Sequence, residues 1–213
     1  SQESLKLIAC VTMLIDHIGE IVILRFLNEA TGAAQGAWLI AYKACCVTGR
    51  LAFPIFAFMI VEGYFHTRSI KKYVQRLLIF AVISEIPFNL ALGSRVFYPI
   101  HQNVLWSFLI SIGLIHWNEK VRKKGKVWQR LLVGVASVLI GYIVGLLTMV
   151  DFYHAGILTA LAFYFFRQKT WWSRLGQLVC LWYINMELLG GYGYEIQLFG
   201  ETWFLMRQGL ALL

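Results

Sequence analysis

Asp16 and His17 stand at the midpoint of LKLIACVTMLIDHIGEIVILRF (5–26), an apolar run long enough to cross a membrane. A charged side chain near a bilayer centre costs at least about 2.5–3.5 kcal/mol on insertion scales, so such residues turn toward protein and mark proton or group-transfer chemistry. An imidazole there can take a proton from an attacking amine or hydroxyl. Neighbouring residues on a helix point about 100° apart, so Asp16 cannot orient the ring of His17, whereas Glu20, three residues on, shares its face. The expectation is that His17 faces a cavity as general base, Asp16 faces Arg50, and Glu20 holds the His17 ring. Glu85, followed closely by Pro87, and Arg50 fall at overlapping depths on two other apolar segments, which brings Asp16, His17, Arg50 and Glu85 together as a catalytic set. Arg50 beside a carboxylate neutralises a charge that would otherwise be costly to bury.

Other ionisable residues cluster at segment ends. Glu62, His66 and Thr67 close one apolar run, while His101, Gln102 and Asn103 open another, as Asp151, Tyr153 and His154 do later. His101, Asn103, Asp151 and Tyr153 are candidates for the acceptor side of a site, with helix capping the plainer account of Asn103 and Asp151. No G-x-S-x-G elbow surrounds Ser84, so it does not supply a nucleophile. Proton-relay residues of this kind also suit a small proton-coupled transporter, and a polar knot that only fixes helix packing suits a structural membrane subunit.

The chain that must position these residues is 59% hydrophobic and 14% charged, with a mean hydropathy of +0.66. Those values identify an integral membrane protein. The formal charge of +8 resides in short loops between apolar segments, where membrane orientation accounts for it and nucleic acid need not be invoked. Four cysteines lie inside apolar runs without C-x-x-C spacing, so neither disulfides nor a metal site is expected. The first apolar run is too long and too polar to be a cleaved signal peptide.

Windows of about 20 apolar residues predict an all-α polytopic bundle of about eight transmembrane helices in a single domain, 1–213. They fall at 5–27, 44–66, 73–92, 100–118, 128–148, 152–167, 174–189 and 201–213, with the last stopping while still apolar. Arg68, Lys71, Lys72 and Arg76, then Lys120 to Arg130, then Arg167 to Arg174 follow alternate helices, while loops 28–43, 93–99, 149–151 and 190–200 hold only Lys43 and Arg95 as lysine or arginine. This alternation predicts a multi-pass protein of the plasma (inner) membrane with a cytoplasmic N-terminus and His101, Asp151 and Tyr153 at the outer surface. Lipid is the expected surrounding partner, and the sequence leaves room for an oligomer.

The runs IDHIG (15–19), GRLAFPIFAFMIVEGYFHT (49–67), EIPFNL (85–90), HQNVLW (101–106) and DFYHAGIL (151–158) resemble the TraX family of bacterial membrane proteins, associated with N-acetylation of conjugative pilin. That family is similar to a wider group of transmembrane acyltransferases that take acetyl groups from cytoplasmic acetyl-CoA. The resemblance implies an acetyl-CoA-dependent acetyltransferase, with a peptide or pilin N-terminus or an envelope glycan as acceptor and His17 as base. Asp16, Arg50, Pro54, Glu62, Glu85, Pro87, His101, Asn103 and Asp151 carry over as motif positions. Acetyl-CoA would keep its phosphates at the basic loop, with Arg68, Lys71, Lys72 and Arg76 as contacts and Glu62 and His66 nearby. Glu20 departs from the apolar or aromatic residue expected at its position. A C-terminal motif with tyrosine, proline and histidine is absent, which implies a chain cut short.

Overall fold

The computed structural model describes residues 2–93, 95–98, 101–190, 192–198 and 201–206. The chain divides into two units, residues 1–56 with 182–213, and residues 57–181. The fold is an all-α membrane bundle. Gln2–Glu29, Ala34–His66, Ile70–Ala91 and Val127–Leu147 are each long and apolar enough to span a bilayer.

The first unit begins with α1 (Gln2–His17), a π-helical stretch (Ile18–Ile23) and α2 (Leu24–Glu29). A turn through Gly32, whose φ of 62° suits a residue without Cβ, reverses the chain into α3 (Ala33–Gly49). The two arms run antiparallel in a register set by small residues. A Cβ on Gly19 would lie 2.7 Å from Cys45 Cβ, and one on Gly49 would overlap the Asp16 carboxylate. Between these points Glu20 Oε1 accepts from Tyr42 Oη at 3.1 Å and from Cys46 Sγ at 3.5 Å. Residues 16, 19 and 20 therefore form the inward stripe of the first arm, and 49, 45, 46 and 42 the facing stripe of the second. Backbones approach this closely in membranes where side chains are small, because apolar burial gives no driving force against lipid.

Two expectations change here. The region 28–43, read as a loop, is helical from Ala33, because Gln35, Gly36 and Lys43 dilute its hydropathy without breaking the helix. The segment 201–213, read as a helix, begins instead with strand β2 (Glu201–Met206), paired antiparallel to β1 (Tyr192–Leu198) with Ile196 opposite Trp203. Aromatic and β-branched residues in YGYEIQL and ETWFLM favour that extended pairing over a short helix. Residues 207–213, including Arg207, lie outside the described residues, as does Gly191 of the glycine stretch. A second π-helical stretch (Ile184–Leu188) precedes the hairpin.

The second unit contains most of α4 (Ala52–His66), then α5 (Ile70–Gly93), α6 (Val104–Lys124), α7 (Val127–Leu147), α8 (Tyr153–Phe165) and most of α9 (Trp171–Tyr183). Its centre is α8, whose Ala155, Ile157, Ala160 and Leu161 are buried with Phe108, Ile112 and Ile115 of α6. With only 13 residues, α8 is short for a span, and its apolar character on all sides suits a helix enclosed by others. Gly141 admits Ile157 and Gly145 admits the backbone of His154, at 2.8 Å and 2.5 Å from where a Cβ would stand. Two polar clusters in this interior are paired: Asn118 Nδ2 donates to Ser137 Oγ at 2.6 Å, and Tyr164 Oη and Arg122 donate to Glu119 at 2.9–3.0 Å.

Gly49→Ala is expected to destabilise the protein by about 1–3 kcal/mol, the range for overpacking a tight contact. Unfolding in detergent micelles measures this, and unchanged stability would contradict the register of α1 on α3.

Candidate functional site

Glu85 sits on α5 two residues before Pro87, which lacks the N–H that would meet the carbonyl of Ile83. Its Oε2 accepts from three donors of the following segment: the Asn103 side-chain amide, the Asn103 backbone N–H at 3.4 Å and Trp106 Nε1 at 3.0 Å. Asn103 Nδ2 also reaches the Ala81 carbonyl at 2.9 Å, while its Oδ1 caps α6 by accepting from Leu105 N at 3.0 Å. The capping reading of Asn103 is thus correct, and the same residue binds a carboxylate. Glu85 Oε1 is buried and has no hydrogen-bond partner among the described residues.

The loop after α7 closes on this cluster. Gln102 N donates to Met149 O at 3.0 Å and Asp151 N to Gln102 O at 2.8 Å, forming a parallel bridge between residues 102 and 150. Ser107 Oγ donates to Asp151 O at 2.9 Å. His101 Nε2 lies 3.5 Å from Asp151 Oδ1, and the ring is stacked on Phe88 and met edge-on by Tyr153. Met149, Phe152 and Tyr153 all have positive φ, at 51°, 59° and 46°. Non-glycine residues rarely adopt that conformation, and three within five positions mark a loop whose shape is imposed by its contacts. Hydrogen bonding to Asp151 raises the His101 pKa above its ordinary value; burial opposes this, and the charges of Asp151 and Glu85 add to it.

The first-unit candidates are arranged differently from expectation. His17 is exposed rather than enclosed in a cavity. Its Nδ1 lies 2.8 Å from the Met13 carbonyl one turn earlier. Glu20 does not hold that ring, since its carboxylate turns to Tyr42 and Cys46; the π-helical stretch that begins at Ile18 alters the spacing on which the expected alignment relied. Asp16 is set against Gly49, one residue from Arg50, and Arg50 occupies the turn between α3 and α4 instead of the interior of a helix. Arg50 Nε is buried and without a hydrogen-bond partner among the described residues. Glu85 belongs to the second unit.

At the far end of α4, Arg167 Nε and Nη2 donate to Glu62 at 2.7 Å and 3.1 Å, and the guanidinium lies 4.2 Å over the Phe65 ring. His66 Nδ1 is 2.8 Å from the Glu62 carbonyl. Arg167, 105 residues from Glu62, carried no local signal of this pairing. Trp106 was missed similarly, because a tryptophan in an apolar helix reads as packing. Arg68, Lys71, Lys72 and Arg76 are exposed around the start of α5 and form no ion pair among the described residues.

Three separated runs, 85–90, 101–106 and 151–158, are thus joined by side-chain and backbone bonds within one unit. A profile of the TraX protein family matches residues 1–206. The chain belongs to the TraX family. This TraX-family chain is also 40% identical over 81 residues to the probable fimbrial assembly protein FimC, serogroup H1, of Dichelobacter nodosus. That alignment covers 38% of the chain and 28% of the relative, so the chain accounts for under a third of the relative's length. No solved structure matches the TraX-family chain.

Because His101 binds protons more tightly folded than unfolded, its contact with Asp151 stabilises fully below the unfolded pKa and is lost as pH rises through the higher folded value. The stability difference between wild type and His101→Gln should therefore shrink as pH is raised from mildly acid to mildly alkaline. Unfolding titrations across that window check it, and a difference independent of pH would refute the pairing.

Proposed function

We propose that this TraX-family protein is a membrane acetyltransferase that moves an acetyl group from cytoplasmic acetyl-CoA to an amine or hydroxyl acceptor, a peptide or fimbrial-subunit N-terminus or an envelope glycan. The observation that carries the reading is the state of the His17 ring. A carbonyl can only accept, so the bond from Nδ1 to Met13 O requires the proton on Nδ1 and leaves the lone pair of the neutral ring on an exposed Nε2. That is the tautomer a general base needs. Nε2 takes the acceptor's proton as its nitrogen or oxygen attacks the thioester carbonyl; the tetrahedral intermediate collapses with cleavage of the C–S bond, and His17 returns the proton to the departing thiolate. Arg50 Nε, a buried donor without a partner among the described residues, is assigned to the developing oxyanion.

The donor's phosphates are assigned to Arg68, Lys71, Lys72 and Arg76, whose exposed cations around the N-terminal turn of α5 suit an anion. His101, Asn103, Asp151 and Tyr153 are assigned to the acceptor. The basic-loop pattern supports an inner-membrane protein with a cytoplasmic N-terminus. A second reading places the base at His101, favoured by its carboxylate partner at 3.5 Å.

Acetyl transfer by purified protein separates the two. His17→Ala should lower kcat by about 10²–10⁴-fold with little change in KM for acetyl-CoA, while neutralising the four basic residues should raise that KM. Full activity in His17→Ala with loss in His101→Gln would move the base to His101. A wild-type protein that neither binds nor turns over acetyl-CoA, yet takes up protons in proteoliposomes, would overturn the acetyltransferase reading.

A further inference from the structure

Beside the loop that joins α6 and α7 lies a cleft of about 640 Å³. Trp117, Lys120 and Lys124 line it from α6, at helical spacing on one face, and Trp128, Leu132 and Val133 line it from α7. Lys120 and Lys124 form no ion pair among the described residues. The adjacent acid, Glu119, is bonded to Arg122 and Tyr164 instead. The cleft therefore combines two unneutralised cations with apolar and indole walls.

Its position names the kind of anion. α7 is a membrane-length helix that begins at Val127, which sets Trp128 in its first turn, at the level where indoles sit between headgroup and acyl chain. The cleft's apolar wall continues into a stripe of α7 that is open to lipid: Leu131 is 68% exposed, Leu132 58% and Val135 63%. The positive end of the α7 dipole lies at the same place. A soluble phosphate would use the lysines and leave the rest bare, whereas a phospholipid fills both halves.

We propose that this cleft is a specific site for an anionic phospholipid, with the phosphate held between Lys120 and Lys124 and an acyl chain laid along Leu132 and Val135. The site is independent of the acetyl-transfer assignment. The test is binding of brominated phosphatidylglycerol to the full chain in nanodiscs, read by tryptophan quenching, with brominated phosphatidylcholine as reference. Wild type should prefer phosphatidylglycerol, and Lys120→Gln with Lys124→Gln should reduce that preference on the order of 25-fold, about fivefold per basic residue. The pair Lys120→Arg with Lys124→Arg should retain it, as should Lys169→Gln with Arg174→Gln, a charge-matched control on exposed residues elsewhere in the unit. Equal loss in the control pair would show bulk surface charge and overturn the proposal, as would the absence of any preference in wild type. Displacement of the brominated lipid by coenzyme A, but not by inorganic phosphate, would assign the cleft to a nucleotide and likewise refute it.

Discussion

A carboxylate carried on a membrane-length helix must draw its hydrogen bonds from protein, because lipid offers none. Glu85 meets it at Oε2, with donors that all come from the segment 103–106, and much of the local structure follows. Asn103 can serve Glu85 only if its backbone stands at the start of α6, so the cap of that helix and the solvation of the carboxylate are one arrangement. The preceding residues are then brought beside 149–151, and the positive-φ backbone at Met149, Phe152 and Tyr153 is the conformational cost of keeping them there. His101 and Asp151 are partners as a result of this closure.

The first unit solves the same problem by close approach instead of by donor recruitment. Asp16 lies against Gly49 and Glu20 against Tyr42 and Cys46, so the two mid-span acids of the first arm turn toward α3, and the helices come close enough because glycines stand at the contact points. His17, one residue beyond Asp16 on the helix, is directed away from that interface by the same rotation. The inward turn of Asp16 and the exposure of His17 are consequently a single geometric fact. The imidazole stays accessible in this arrangement, while the acid beside it keeps the register.

Much of this could be read before the fold was known. Mean hydropathy and segment length named a membrane protein, and the motif runs named the TraX family. Asn103 was legible as a cap because three polar residues precede an apolar run. Helix α3 was not, since window averaging penalises Gln35, Gly36 and Lys43, whereas a helix packed on another tolerates polar residues on its far side. The terminal hairpin was misread for the opposite reason: an apolar stretch of aromatic residues satisfies a helix window and a strand equally well, and pairing with a neighbour decides between them.

What the sequence determined by itself was the solvent, the inventory of ionisable groups and their order along the chain, because hydropathy and motif are local properties. What tertiary structure decided was partnership. Glu62 pairs with Arg167 across 105 positions, Glu85 takes Asn103 and Trp106, and Glu20 takes Tyr42 instead of His17. A carboxylate attracts any donor that the packing of helices brings within about 3 Å, and that packing is set by glycines, caps and turns whose joint effect no single stretch of sequence contains.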